Sequence, residues 1–184
     1  MQPETVQIPG MNMKDISDET KKITMKKFSL FALIYLVVVT SSAQTQLPSV
    51  QLSTLKGETI SSTALLNDKV PVVISFWSTI CKPCIEELNA FKDQWAKWQK
   101  EVNFQLVAVS TDDARSVARV RGFAASREWP FTILLDKNQD FKRALNVNSI
   151  PQLYIIGTDG KIVYSHIGYT PGSETKVLEV LKGL

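Results

Sequence analysis

Residues 70–88 read VPVVISFWSTICKPCIEEL, and this stretch decides the architecture. Val70 to Trp77 is β-branched and almost wholly apolar, the pattern of a central strand covered on both faces, with Pro71 admissible only near its start. After three intervening residues comes Cys81-Lys82-Pro83-Cys84, and from about Cys84 to Lys100 a helix is expected. At about 100° per residue, Cys84, Leu88, Phe91, Trp95 and Trp98 share one stripe, so the helix lies against the sheet. Both cysteines of the chain therefore stand at one strand-to-helix corner, in a single C-x-x-C.

That corner has a definite chemistry. Two thiols at this spacing can close a small disulfide ring, and the helix N-terminus supplies unpaired N–H groups and partial positive charge that stabilise a thiolate. Cys81, at the start of the turn, is the expected exposed nucleophile. Cys84 falls on the buried stripe and is the expected resolving thiol, which attacks the mixed disulfide and frees the partner. Lys82 adds cationic stabilisation, and Pro83 suits a first helical turn while stiffening it. The competing reading is an inert staple or half of a metal site; closing so short a loop gains little entropy, which weighs against a staple.

Strand and helix alternate on either side of the corner. Leu52 to Leu55 and Thr59 to Ser61 suggest a small hairpin around Lys56-Gly57, followed by one helical turn at Thr63 to Leu66. Val102 to Ser110 and Phe131 to Leu135 read as buried strands, with a helix from Arg115 to Ser126 between them and a short one from Gln139 to Leu145 after them. Gln152 to Ile156 and Lys161 to Ser165 form an antiparallel pair closed at Asp159-Gly160. A last helix from Ser173 to Leu184 is expected to present Val177, Leu181 and Leu184 on one face. The fold class is α/β, a mixed central sheet flanked by helices.

Composition narrows the function. The 184 residues carry 21 Lys plus Arg against 18 Asp plus Glu, a net charge of +3 that is too small and too evenly mixed for a nucleic-acid binder. With 2 cysteines and 1 histidine, a tetrahedral zinc site of Cys and His alone is incomplete. No metal is expected.

The N-terminal part reads as an address. Phe28 to Val39 is a 12-residue apolar run, preceded by Lys26-Lys27 and followed by Ser41-Ser42-Ala43. These are the parts of a secretory signal with cleavage after Ala43, and a membrane span needs about 20 residues. Retention of the segment as a membrane anchor is the lesser alternative. Met1 to Thr24 has mixed charge and no apolar period, so the initiator is Met1 or Met25. The expected organisation is an N-terminal extension and signal peptide over residues 1–43 and one domain over 44–184, working in an oxidising, periplasmic or otherwise extracytoplasmic space.

Ile74 to Leu88, then Ser149-Ile150-Pro151, then Leu153 to Lys161 (LYIIGTDGK) together resemble the secreted thioredoxin-like proteins of the TlpA and ResA type, over roughly residues 50 to 184. The resemblance implies a thioredoxin-like fold with an N-terminal β-hairpin. It implies that the C-x-x-C is the redox centre and that a cis-proline, here Pro151, stands opposite it, with the Ile150 backbone pairing with substrate chain. Cys84 and Pro151 are 67 residues apart, and the surplus matches the extra strand and helix of this family. Where a minimal thioredoxin has a buried Asp this chain has Ser75, and the Glu that ResA-like members carry three residues after the second cysteine matches Glu87. Glu87 is thus the candidate proton carrier; its other reading is a solvent-facing helix carboxylate. Ile80 stands where the family often has Trp, which leaves Trp77 as the aromatic at the site or, equally, a core residue.

The function implied is an extracytoplasmic thiol-disulfide oxidoreductase that reduces disulfides of exported proteins such as apocytochrome c, in cytochrome c biogenesis. A membrane thiol carrier would be its reductant and a monomer its working state. Dithiol exchange needs no cofactor, and none is expected. Two alternatives stand beside it. A thioredoxin-like peroxidase would want Pro-x-x-x-Thr-x-x-Cys, yet those positions hold Ile74 and Ser78. A copper carrier could use Cys81, Cys84 and His166, since soft thiolates select Cu(I).

Overall fold

The computed structural model describes residues 46–184. The expectations for the signal segment, its cleavage after Ala43 and the initiator lie outside the described residues.

Seven strands form one sheet in the order β2-β1-β5-β4-β3-β6-β7. They are β1 (Gln51–Thr54), β2 (Thr59–Ser61), β3 (Val72–Trp77), β4 (Gln105–Ser110), β5 (Thr132–Leu135), β6 (Gln152–Ile156) and β7 (Ile162–Ile167). β3, β4 and β5 run parallel, while β6 pairs antiparallel with β3, β7 with β6, and β1 with both β5 and β2. The helices are α1 (Lys82–Glu101), α2 (Val117–Arg127), α3 (Asp140–Ala144) and α4 (Glu174–Lys182), with single 3-10 turns at Ser62–Leu66 and Ala114–Ser116. The N-terminal hairpin is present, and α2, β5 and α3 lie between β4 and Pro151, so the added strand and helix are there as well.

The pleat of β3 explains the two cores. All six of its residues are buried. Val73 and Trp77 point to one face, where they meet Cys84, Leu88 and Phe91 of α1 and Val177 and Leu181 of α4. Val72, Ile74 and Phe76 point to the other, against Leu65, Phe141 and Leu145. Burying an apolar side chain of this size contributes about 1.5–3 kcal/mol, so the five apolar residues of β3 outweigh the cost of placing Ser75 among them.

Some boundaries differ from the sequence reading. β4 begins at Gln105 rather than Val102, because the Val102 N–H still donates to the Trp98 carbonyl as the cap of α1. α1 begins at Lys82, ahead of Cys84. Leu184 is exposed, a correction to its place on the buried face of the last helix: α4 ends at Lys182, so the residues beyond no longer follow the helical period. Gly160 must be glycine. Its φ is +82°, and an added Cβ would sit 2.9 Å from Gln46 Oε1 and 3.1 Å from Leu66 Cδ1.

Candidate active site

β3 ends at Trp77, and the chain reaches α1 through Ser78, Thr79, Ile80 and Cys81. Cys81 is the N-cap of α1, with Pro83 in the first turn and no acidic residue there, so the positive end of the helix acts on Cys81 with no carboxylate of that turn to offset it. The Cys81 N–H donates to the Ser78 carbonyl at 3.1 Å, and the Ile85 N–H to the Cys81 carbonyl at 3.2 Å. Cys81 and Cys84 are joined by a disulfide with their Cα atoms 5.3 Å apart. Cys81 is partly exposed and Cys84 is fully buried, which is the asymmetry a nucleophile and a resolving thiol require.

The Ile150–Pro151 bond is cis, and the Ile150 carbonyl oxygen lies 3.9 Å from Cys81 Sγ. The segment from Ser149 to Gln152 therefore faces the sulfur that a substrate would meet. Lys82 and Pro83 are exposed. The Lys82 ammonium stands 3.8 Å from Glu86, with their side chains 89% and 49% exposed, and a pair so open to water contributes little.

Glu87 is buried, not solvent-facing, and this removes the bland reading of it. The Ser75 hydroxyl donates to Glu87 Oε2 at 2.6 Å. Burial pushes the carboxyl up from 4.5 to about 7, the Ser75 hydrogen bond pulls it back in part, and the negative charge of Glu174 adds to the rise. Ser75 and Glu87 thus stand together, one on the strand and one on the helix, a pairing the sequence alone did not give. Glu174 in turn accepts from the Tyr169 hydroxyl at 3.2 Å. Tyr169 is pushed up to about 12 by burial first, then by the Glu174 carboxylate.

Trp77 does not line the site surface, which corrects its assignment to substrate binding. It has no exposed area, because the side of β3 it occupies is covered by α1 and by Trp129, whose ring lies 5.0 Å away edge-on. The exposed large apolar residues at this end of the sheet are instead Ile80, beside Cys81 in the chain, at 83% exposure, and Ile167, at 62%. Ile167 pairs with Gln152 in the β6–β7 register, and the Gly168 N–H donates to the Pro151 carbonyl at 2.8 Å, so it sits at the cis-proline end of the sheet.

Asp112 is a residue that sequence reading missed. Its carboxylate accepts the Thr79 N–H at 2.9 Å and the Thr79 hydroxyl at 2.8 Å. Its place follows from the register: β3 and β4 are parallel with Trp77 opposite Ser110, so the residues that follow the two strands emerge side by side.

Among the described residues no three His, Cys, Asp or Glu side chains gather into a metal site. His166 lies exposed on β7. Among the same residues no helix is long and apolar enough to cross a membrane.

A family model, the AhpC/TSA family, matches residues 43–165. The thioredoxin-like protein YneN of Bacillus subtilis (strain 168) is 37% identical over 129 residues, which are 67% of this chain and 70% of that protein. The thiol-disulfide oxidoreductase ResA of Oceanobacillus iheyensis is 32% identical over 117 residues, 62% of this chain and 59% of that one. The match thus spans little more than half of the ResA relative. A solution structure of a thioredoxin-like protein from Porphyromonas gingivalis is 42% identical with a TM-score of 0.68, covering 75% of this chain and 90% of its own.

Proposed function

The chain belongs to the AhpC/TSA family, and from that premise we propose that it is an enzyme, a thiol-disulfide oxidoreductase that reduces disulfides of exported proteins through Cys81 and Cys84 in an extracytoplasmic space. The observation that carries the reading is the asymmetric pair at the head of α1: a partly exposed cysteine whose sulfur lies beside the cis-Ile150–Pro151 backbone, and a fully buried one three residues on.

In the reductive cycle the Cys81 thiolate attacks one sulfur of the substrate disulfide. The substrate S–S bond breaks, a Cys81–substrate bond forms, and the released sulfur takes a proton. Cys84 then loses its proton and attacks Cys81 Sγ, which closes the Cys81–Cys84 disulfide and frees the second substrate sulfur. Two electrons have passed from the enzyme dithiol to the substrate. A dithiol donor, in this reading a membrane thiol carrier, opens the disulfide again.

The difficult step is the loss of a proton by Cys84, since burial disfavours a thiolate. Glu87, one helical turn away and with its carboxyl raised to about 7, is the base assigned to that proton. A carboxylate whose affinity for a proton is matched to neutral pH works in both directions of the exchange. Substrate chain would lie in extended form along Ile150 and Pro151, over Lys82 and Pro83, with Ile80 and Ile167 as its apolar flanks.

The rival peroxidase reading lacks its proline and threonine: the proline position holds Ile74, buried in β3, and the threonine position holds Ser78, whose hydroxyl oxygen accepts the Ile80 N–H at 3.3 Å. Catalysed reduction of insulin by a small dithiol, measured against peroxide consumption on the same sample, tests the proposal. Insulin precipitation accelerated by the wild type but not by Cys81→Ser supports it; peroxide consumption without insulin reduction would replace it.

A further inference from the structure

We propose that Asp112 is a positioning residue, which through Thr79 holds Cys81 within reach of Cys84 and so sets how readily the pair closes; the inference rests on the thiol-disulfide reading above.

The turn from β3 to α1 shows why such a residue is needed. Two of its N–H groups are satisfied locally, Ile80 on the Ser78 hydroxyl at 3.3 Å and Cys81 on the Ser78 carbonyl at 3.1 Å. Neither bond ties the turn to the rest of the molecule. Thr79 supplies that tie, with its N–H 2.9 Å from Asp112 Oδ2 and its hydroxyl 2.8 Å from Oδ1. α1 offers no substitute, because Cys81 as N-cap makes no side-chain capping bond.

Asp112 is itself fixed from two further directions. The Ser110 hydroxyl at the end of β4 donates to Oδ2 at 2.9 Å, and Arg119 of α2 lies 3.2 Å from Oδ1. The Asp112 side chain is only 4% exposed. A neutral acceptor would satisfy the Thr79 N–H, yet the chain buries a charge here. Charge-assisted bonds are shorter and stronger than neutral ones, and these join the turn, β4 and α2.

The consequence for the chemistry is one of coupling. With the turn clamped, the Cys81 sulfur stays close to where it is in the closed disulfide, so Cys84 meets it at high effective concentration. Without the clamp the turn has more conformations to lose on closure. Two restraints that favour one geometry reinforce each other, so the clamp favours the disulfide and the disulfide favours the clamp.

The test is the equilibrium E(SH)2 + GSSG ⇌ E(S–S) + 2 GSH, in which the enzyme dithiol gives two electrons to glutathione disulfide. Thr79→Val removes the hydroxyl bond and leaves the Asp112 charge in place; Asp112→Asn is the second variant, and Thr79→Ser restores the donor. In both weakened variants the constant for closure should fall about threefold to tenfold, a tenfold fall being about 30 mV less negative in reduction potential. Thr79→Ser should return it to the wild-type value. Mixed disulfides should also resolve more slowly in Thr79→Val. A closure constant within twofold of wild type in folded Thr79→Val, or a shift towards the disulfide, would overturn the proposal, since a merely structural bond weakens both redox forms alike. The measurement uses no protein substrate, so failure of insulin reduction would remove the functional reading and leave the clamp standing.

Discussion

Glu87→Gln keeps the side-chain shape and the oxygen that accepts from Ser75, and removes the charge. In the folded protein the carboxyl titrates at about 7 against 4.5 for an unburied glutamate. Between those values the folded chain holds a proton that the unfolded chain has released. Folding stability therefore falls as pH rises through this window, and the full loss is present above about 7. At about 1.36 kcal/mol per pH unit, the whole window corresponds to about 3 kcal/mol. The glutamine variant has no such slope, and the titrating groups that do not interact with Glu87 are common to both proteins and cancel in their difference. Urea unfolding of the oxidised forms, in which the cysteines do not titrate, should show wild type losing about 2 to 3 kcal/mol relative to Glu87→Gln between about pH 5 and pH 8. A difference constant to about 0.5 kcal/mol over that range would mean that the carboxyl does not titrate there, and Glu87 could not be the proton carrier.

Two further outcomes follow from the same geometry, and a third from the sequence of residues 26–43. Ser75→Ala removes the hydrogen bond that pulls Glu87 down, so the stability slope should extend to higher pH than in wild type, as the same urea series would record. Ile80→Ser should slow reduction of a protein disulfide about tenfold, the effect of about 1.4 kcal/mol of lost apolar contact, while adding no charge beside Cys81, leaving reduction of a small disulfide unchanged and stability within about 0.5 kcal/mol; equal slowing with both substrates would mean Ile80 does not touch protein partners. Mass spectrometry of the exported protein should find Gln44 at its N-terminus, and a chain that retains Phe28 to Val39 in the membrane fraction would make that segment an anchor.

The corner that makes the fold was legible because its signals are local. An unbroken apolar run, a C-x-x-C and a helical stripe each follow from neighbours in sequence, and the structure has β3, the disulfide and α1 in those places. Residues whose fate depends on a partner far along the chain were harder to read. Glu87 lies at the edge of the helical stripe, and only the hydroxyl of Ser75, 12 residues away on the facing strand, makes its burial affordable. Trp77 looked like a site aromatic through closeness in sequence to Cys81, but the pleat turns it under α1 against Trp129. Asp112 became visible only once β3 and β4 were known to be parallel neighbours. Ile167 comes to the cis-proline end of the sheet through the antiparallel register with Gln152, which no window around Cys81 contains.

The division of labour between the two sulfurs is the centre of the account, and trapping measures it most directly. A disulfide-containing protein substrate is mixed with reduced Cys84→Ser and, separately, with reduced Cys81→Ser, and the covalent adducts are counted by mass spectrometry. Cys84→Ser should accumulate a mixed disulfide through Cys81, because the partly exposed cysteine attacks and nothing remains to resolve it. Cys81→Ser should trap little, because its remaining thiol is fully buried. Equal trapping by the two variants, or adducts found on Cys84, would contradict the assignment of Cys81 as nucleophile and Cys84 as resolving thiol.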